Sequence, residues 1–89
     1  MGGMQPVAET QVIEFRGDLV VRSFAEFARH RAARLALSIA PLAETATRAR
    51  YAVTGPADLI DAFEMALSLG PADSLVIDVL RLSNAEGTE

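Results

Sequence analysis

Apolar residues recur along this chain at two spacings, and the switches between them mark out its elements. Val12, Ile13 and Phe15 stand among polar neighbours and stop at Gly17-Asp18, which predicts a short strand over residues 10–16 closed by a turn. Ser23-Phe24-Ala25-Glu26 then reads as a capping box, in which the Ser23 hydroxyl accepts from the Glu26 amide and the Glu26 carboxylate reaches back to the Ser23 amide. A helix is predicted from that point. Phe24, Phe27, Ala28, Ala32 and Leu35 fall on one side of its wheel, Glu26, Arg29, His30 and Arg34 mainly elsewhere, and the stripe ends near Leu37-Ser38.

The second half repeats the sequence of signals. Residues 39–43 are a short apolar stretch whose Pro41 cannot donate to a ladder, which favours an edge strand. After a turn at 44–47, residues 48–54 alternate, with Ala49, Tyr51 and Val53 on one side and Arg50 and Ala52 on the other, as in a half-buried strand. Gly55-Pro56 sets a proline in the first turn of a second helix, and Asp58 complements the helix dipole. Leu59, Ile60, Phe63, Ala66 and Leu67 form its buried face, Asp58, Asp61 and Glu64 its wet one, and Gly70-Pro71 ends it. Residues 74–82 are the last strand.

The order strand, helix, strand, strand, helix, strand is that of an α+β, ferredoxin-like βαββαβ two-layer sandwich, an antiparallel sheet with two helices on one face. The last strand is apolar on both sides, Leu75, Ile77 and Val79 on one and Val76, Leu80 and Leu82 on the other. A sheet with a wet outer face should alternate more cleanly. A second copy of the chain, or another protein, is therefore an expected cover for the open sheet face, with frayed chain tails as the alternative cover for so short a strand.

Composition narrows the possibilities. Eighty-nine residues, 51% of them hydrophobic, suffice for one core and one domain, taken as residues 10–83 with frayed tails at 1–9 and 84–89. With no cysteine, neither a disulfide framework nor a thiolate metal site is possible. Residues 1–10 lack a basic start followed by an apolar run, and nowhere do about 18 apolar residues run together, so a soluble cytoplasmic protein without a membrane role is expected. A net charge of -4 argues against a nucleic-acid partner. All eight bases are arginines, but they are spread along the chain, and a bias toward GC-rich codons explains them together with the abundant alanine. Only Tyr51 and Phe15 are available as strand aromatics, which with the negative charge argues against RNA binding through the open sheet.

Residues able to carry chemistry are few. His30 is the single histidine, so no two-histidine metal site exists, and Glu26 four residues earlier is a weak helix pair before it is a catalytic one. The stripe Asp58, Asp61, Glu64 shares a helix face, but divalent sites gather more ligands from a bent loop, and a solvated face is the expectation. No metal and no cofactor is expected.

With its elements placed, the chain resembles the acylphosphatase family over about residues 12–82. Phe27-Ala28-Arg29-His30-Arg31-Ala32-Ala33-Arg34-Leu35-Ala36-Leu37-Ser38 looks like the family's first helix, and Gly55-Pro56 through Gly70-Pro71 and Val76 like its second helix and last strand. The resemblance implies hydrolysis of carboxyl-phosphate bonds without metal or cofactor. It also implies a loop of approximately V-Q-G-V-G-F-R between the first strand and helix, whose amides and final arginine hold the phosphate. Here that loop reads Leu19-Val20-Val21-Arg22-Ser23-Phe24-Ala25. Phe24 matches, but Ala25 stands at the arginine and Val21 and Ser23 at the glycines, while Ala43 stands at the asparagine that orients the attacking water.

Alanine supplies no donor for the charge that develops on a transferring phosphoryl group. Side chains in place of loop glycines also restrict the angles that let amides converge on an anion. The expectation is a domain that has lost catalysis and acts as a binding or interaction module. Arg22, just outside the helix amino end with Ser23 and Phe24 beside it, is the candidate anion-binding group. The alternatives are an acylphosphatase with a rearranged site built on Arg22, and a small-ligand regulatory module.

Overall fold

A computed structural model describes residues 8–82, and in it the first strand outruns its apolar residues. β1 spans Glu9–Asp18, α1 Val21–Arg34, β2 Ser38–Glu44, β3 Arg48–Gly55, α2 Ala57–Leu69 and β4 Leu75–Leu82. Glu9, read as part of a frayed tail, thus belongs to β1, where it pairs with Gly55. The rest of the readings for residues 1–7 and 83–89 lie outside the described residues. The sheet runs β2-β3-β1-β4 and every pairing is antiparallel. β2, with Pro41, is an edge strand as the missing N–H requires.

Side chains alternate across this sheet, and one face carries the core. Ile13 and Phe15 of β1 and Ala49, Tyr51 and Val53 of β3 are buried against Phe24, Ala28 and Ala32 of α1 and Ile60, Phe63 and Leu67 of α2. Phe15 sits at the centre, its ring 5.7 Å from Phe24, 6.4 Å from Phe63 and 6.5 Å from Tyr51. Fully burying each such ring contributes about 1.5–3 kcal/mol. The predicted faces of α2 hold, with Leu59 and Ala66 partly buried beside the core.

Three local expectations are overturned. The capping box at Ser23 does not form: α1 begins two residues earlier, Val20 is the extended residue before it, and no side chain caps it. The Phe24 amide already donates to the Val20 carbonyl at 2.8 Å, and the Ser23 hydroxyl donates to Asp73 Oδ1 at 2.8 Å. The hydroxyl expected to accept from the Glu26 amide instead donates to a distant carboxylate. Pro56 lies just before α2 rather than in its first turn, extended at φ -65 and ψ 143, its carbonyl accepting from the amides of Leu59 and Ile60.

The third correction concerns β4. Its register against β1 shifts between Arg16 and Gly17, with Asp78 opposite Arg16 and Val76 opposite Gly17. Ile77 is the extra residue of a β-bulge, so the strand's parity flips there. Val76 and Val79 consequently both pack on the core, while Leu75 and Ile77 are exposed. Gly17 makes the bulge possible, because a Cβ at that position would overlap the Leu75 carbonyl oxygen. The helix α1 ends on Ala36, held at φ 57, with the Leu37 amide donating to the Ala32 carbonyl and the Ala36 amide to Ala33. This is the pairing of a Schellman motif, with alanine where glycine is usual.

Candidate functional site

The loop that would hold a phosphate is short. Leu19 and Val20 alone separate β1 from α1, so residues 21–25 are already helical. The amides leading into it point at protein oxygens: Gly17 donates to the Thr47 carbonyl at 3.1 Å, Leu19 to the Ala46 carbonyl at 2.8 Å and Val20 to Ser74 Oγ at 3.0 Å. That leaves the amides of Val21, Arg22 and Ser23, which an α-helix cannot satisfy internally. Beside them stands Asp73, accepting from the Ser23 hydroxyl. A carboxylate at a helix amino end puts a negative charge beside the amides that an outside anion would approach.

The side chains at this end are otherwise sparse in charge. Arg22 is exposed and forms no ion pair among the described residues. Phe24 and Ala25 are buried, Phe24 within the core cluster. Phe24 therefore serves packing. Ala43 is half-buried on β2, opposite Arg50, and brings only a methyl group. Its neighbour Glu44 accepts a hydrogen bond from the Tyr51 hydroxyl at 2.8 Å. Burial, and then that bond and the Glu44 charge, push the Tyr51 phenol well above its ordinary value. Tyr51 is a locked neutral donor.

The remaining candidates separate from this end. His30 and Glu26 are exposed on α1 with no hydrogen bond from either side chain among the described residues. Of the acidic stripe, Asp61 and Glu64 bind Arg81 of β4 at 2.8 and 2.6 Å, so they cross-link helix to strand. No group of metal-ligating side chains occurs among the described residues. No helix among them is long and apolar enough to cross a membrane.

One charged group escapes a reading by sequence alone. Glu14 lies on the sheet face away from the helices, yet it is 0% exposed, accepting from Arg16 Nε and from Arg50 Nε and Nη2, the last two at 2.8 and 2.7 Å. Burial alone would raise its carboxyl. The bonds from Arg16 and Arg50, with their charges, outweigh that and hold it below the ordinary value of 4.5. The signal available was alternation: Glu14 and Arg16 share a strand face, and Arg50 alternates out of β3.

No family model and no curated protein matches this sequence. Solved structures do. An acylphosphatase from Coxiella burnetii superposes with a TM-score of 0.74 at 19% identity, covering 85% of this chain and 82% of that one. The acylphosphatase from Bacillus subtilis gives 0.72 at 22% identity over 91% of each chain. The fold is that of the acylphosphatases. Full-length HypF, solved in its phosphate- and nucleotide-bound form, carries the same arrangement, with a TM-score of 0.74 at 19% identity over 96% of this chain and 12% of HypF. An acylphosphatase-like unit of this size thus occurs both as a separate chain and inside a much longer protein.

Proposed function

We propose that residues 10–83 form an acylphosphatase-like domain that has lost phosphoryl chemistry and serves as a binding module, its open sheet face meeting a second copy or another protein. The observation that carries this reading is Asp73, whose carboxylate accepts from Ser23 at the amino end of α1. A phosphate brought there would meet a fixed negative charge and, at Ala25, no guanidinium. Close like charges disfavour binding, and the missing donor removes what is commonly the largest catalytic contribution. The committed amides of Gly17, Leu19 and Val20 support the same conclusion.

Arg22 favours a second reading, since its guanidinium is exposed and unpaired among the described residues in the first turn of α1. Incubation of micromolar protein with benzoyl phosphate separates the two. Hydrolysis at the buffer rate is the expected result. Turnover clearly above buffer, abolished by Arg22→Ala, would establish the enzyme instead.

A further inference from the structure

The open face of the sheet is not uniformly wet. Across its central strands, one row reads Ala43, Arg50, Glu14, Leu80, and the next along the strands reads Arg48, Arg16, Asp78. Three arginines therefore surround one covered carboxylate. Arg16 and Arg48 stand directly opposite each other in the β1–β3 pairing, where like charges destabilise a sheet. Glu14 neutralises one of the three. Asp78 flanks Arg16 but forms no ion pair with it, its Oδ1 instead accepting from the Val79 amide at 3.0 Å. Arg48 has no side-chain partner among the described residues.

Glu14 fixes two of these guanidinium groups in place while leaving nitrogens over. Arg16 uses Nε on Glu14, and no described residue accepts from its terminal nitrogens. Each guanidinium presents several N–H donors in a rigid fork suited to a carboxylate. Further along the same face, Val12, Ala52, Leu80 and Leu82 make a half-buried apolar strip. Phe15 and Tyr51, the aromatics considered for RNA, are buried on the opposite face, so base stacking has no platform here.

We infer that the open sheet face binds an acidic, partly apolar segment of a partner polypeptide, a carboxylate bridging Arg16 and Arg48 while an apolar side chain lies over Val12, Ala52 and Leu80. An outside carboxylate resolves the opposition of Arg16 and Arg48, which no described residue resolves. A small inorganic anion would make no use of the apolar strip. This inference rests on the reading of the domain as a binding module and names the chemistry of its partner.

The test is an NMR titration of the full isotope-labelled chain with a synthetic peptide of alternating glutamate and leucine, with a glutamine-for-glutamate counterpart and inorganic phosphate as comparisons. Saturable shifts at the side-chain Nε–H of Arg16, Arg48 and Arg50 and at β1 and β3 amides are expected for the acidic peptide alone, weakening with added salt. Arg48→Gln, which breaks no ion pair among the described residues, should weaken binding roughly tenfold. Arg34→Gln, at the end of α1, should leave it unchanged, with melting temperature checking both variants. No saturable shift, equal binding of the glutamine peptide, phosphate binding as tightly as the acidic peptide, or shifts confined to residues 19–23 would each overturn the assignment. Benzoyl phosphate hydrolysis by the same sample would overturn only the loss of catalysis, so the two failures are distinguishable.

Discussion

Glu14→Gln is the substitution that most directly tests how the open face is held together. The amide keeps the shape of the side chain but removes its charge and turns one acceptor into a donor facing a guanidinium. A hydrogen bond to a charged group contributes about 1.5–3 kcal/mol, and breaking a fully buried pair costs about 3–5 kcal/mol. The Arg16 and Arg50 side chains are 51% and 37% exposed, so both rehydrate when released and water already screens them. The lower end applies, about 2 kcal/mol. For a domain of this size that is a fall of about 8–16 °C in melting temperature, read by far-ultraviolet circular dichroism at neutral pH.

The pH dependence gives the sharper criterion. Because the folded carboxyl titrates below its ordinary value of 4.5, Glu14 stabilises the fold above that value and loses its contribution as the pH falls through the lowered folded one. The variant has no such contribution to lose. The difference between wild type and Glu14→Gln should therefore shrink as the pH falls below the ordinary value of 4.5 and through the lowered folded one. A difference that stays constant or widens on acidification, or a variant melting within about 2 °C of wild type at neutral pH, would refute the reasoning.

Gly17→Ala should destabilise by about 3 kcal/mol in urea denaturation, because its Cβ would meet the Leu75 carbonyl and stand 3.0 Å from the Ile77 nitrogen, both backbone atoms that cannot turn aside; a neutral result would mean that the β1–β4 bulge is free to slide. Ala36→Gly should stabilise by about 0.5–1 kcal/mol, relieving a left-handed alanine at φ 57, and a loss of stability would show that chain entropy outweighs that strain. Tyr51 is the only tyrosine and the chain has no tryptophan, so tyrosinate absorbance reports it alone. Its raised folded pKa means that stability is present below its ordinary value of 10.0 and is lost as pH rises toward the folded one, so ionisation and unfolding should coincide. Tyrosinate appearing while circular dichroism stays native would contradict this.

The elements of this fold were legible because each is announced by nearby residues. Pro41 placed β2 at an edge, Gly70 ended α2 at φ 66, and the alternation through Ala49, Tyr51 and Val53 chose the buried face of β3. What escaped depends on partners remote in sequence. Ser23 has Glu26 within reach, yet it pairs with Asp73, fifty residues away, because the turn after α2 folds back onto the start of α1. The bulge opposite Gly17 is a property of two strands, and the alternation of β4 alone could not reveal that Val76 and Val79 share a face. Glu14 read as an ordinary polar-face residue, since nothing local says that Arg50, thirty-six positions on, will cover it. Ala25 and Ala43 draw notice only against a family's pattern, since nothing in their local sequence singles them out.

The contacts at the start of α1 bear on what a phosphate-binding loop at this position would require. Supplying an arginine at Ala25 and an asparagine at Ala43 would add two side chains without changing the short connection between β1 and α1. The Leu19 amide holds the β2–β3 turn through Ala46, the Val20 amide holds Ser74, and Ser23 holds Asp73. One of these bonds ties the β1–α1 connection to the β2–β3 turn and the other two tie it and the start of α1 to the α2–β4 turn, around a connection of two residues. Opening that connection to let amides converge on an anion means breaking them, and a net hydrogen bond contributes about 0.5–1.5 kcal/mol. In a domain whose whole stability is about 5–15 kcal/mol, three such losses are a substantial fraction. The interactions that hold the β1–α1 connection short are thus the same ones that stabilise the scaffold, so the shape of this end of the sheet is tied to the stability of the whole domain.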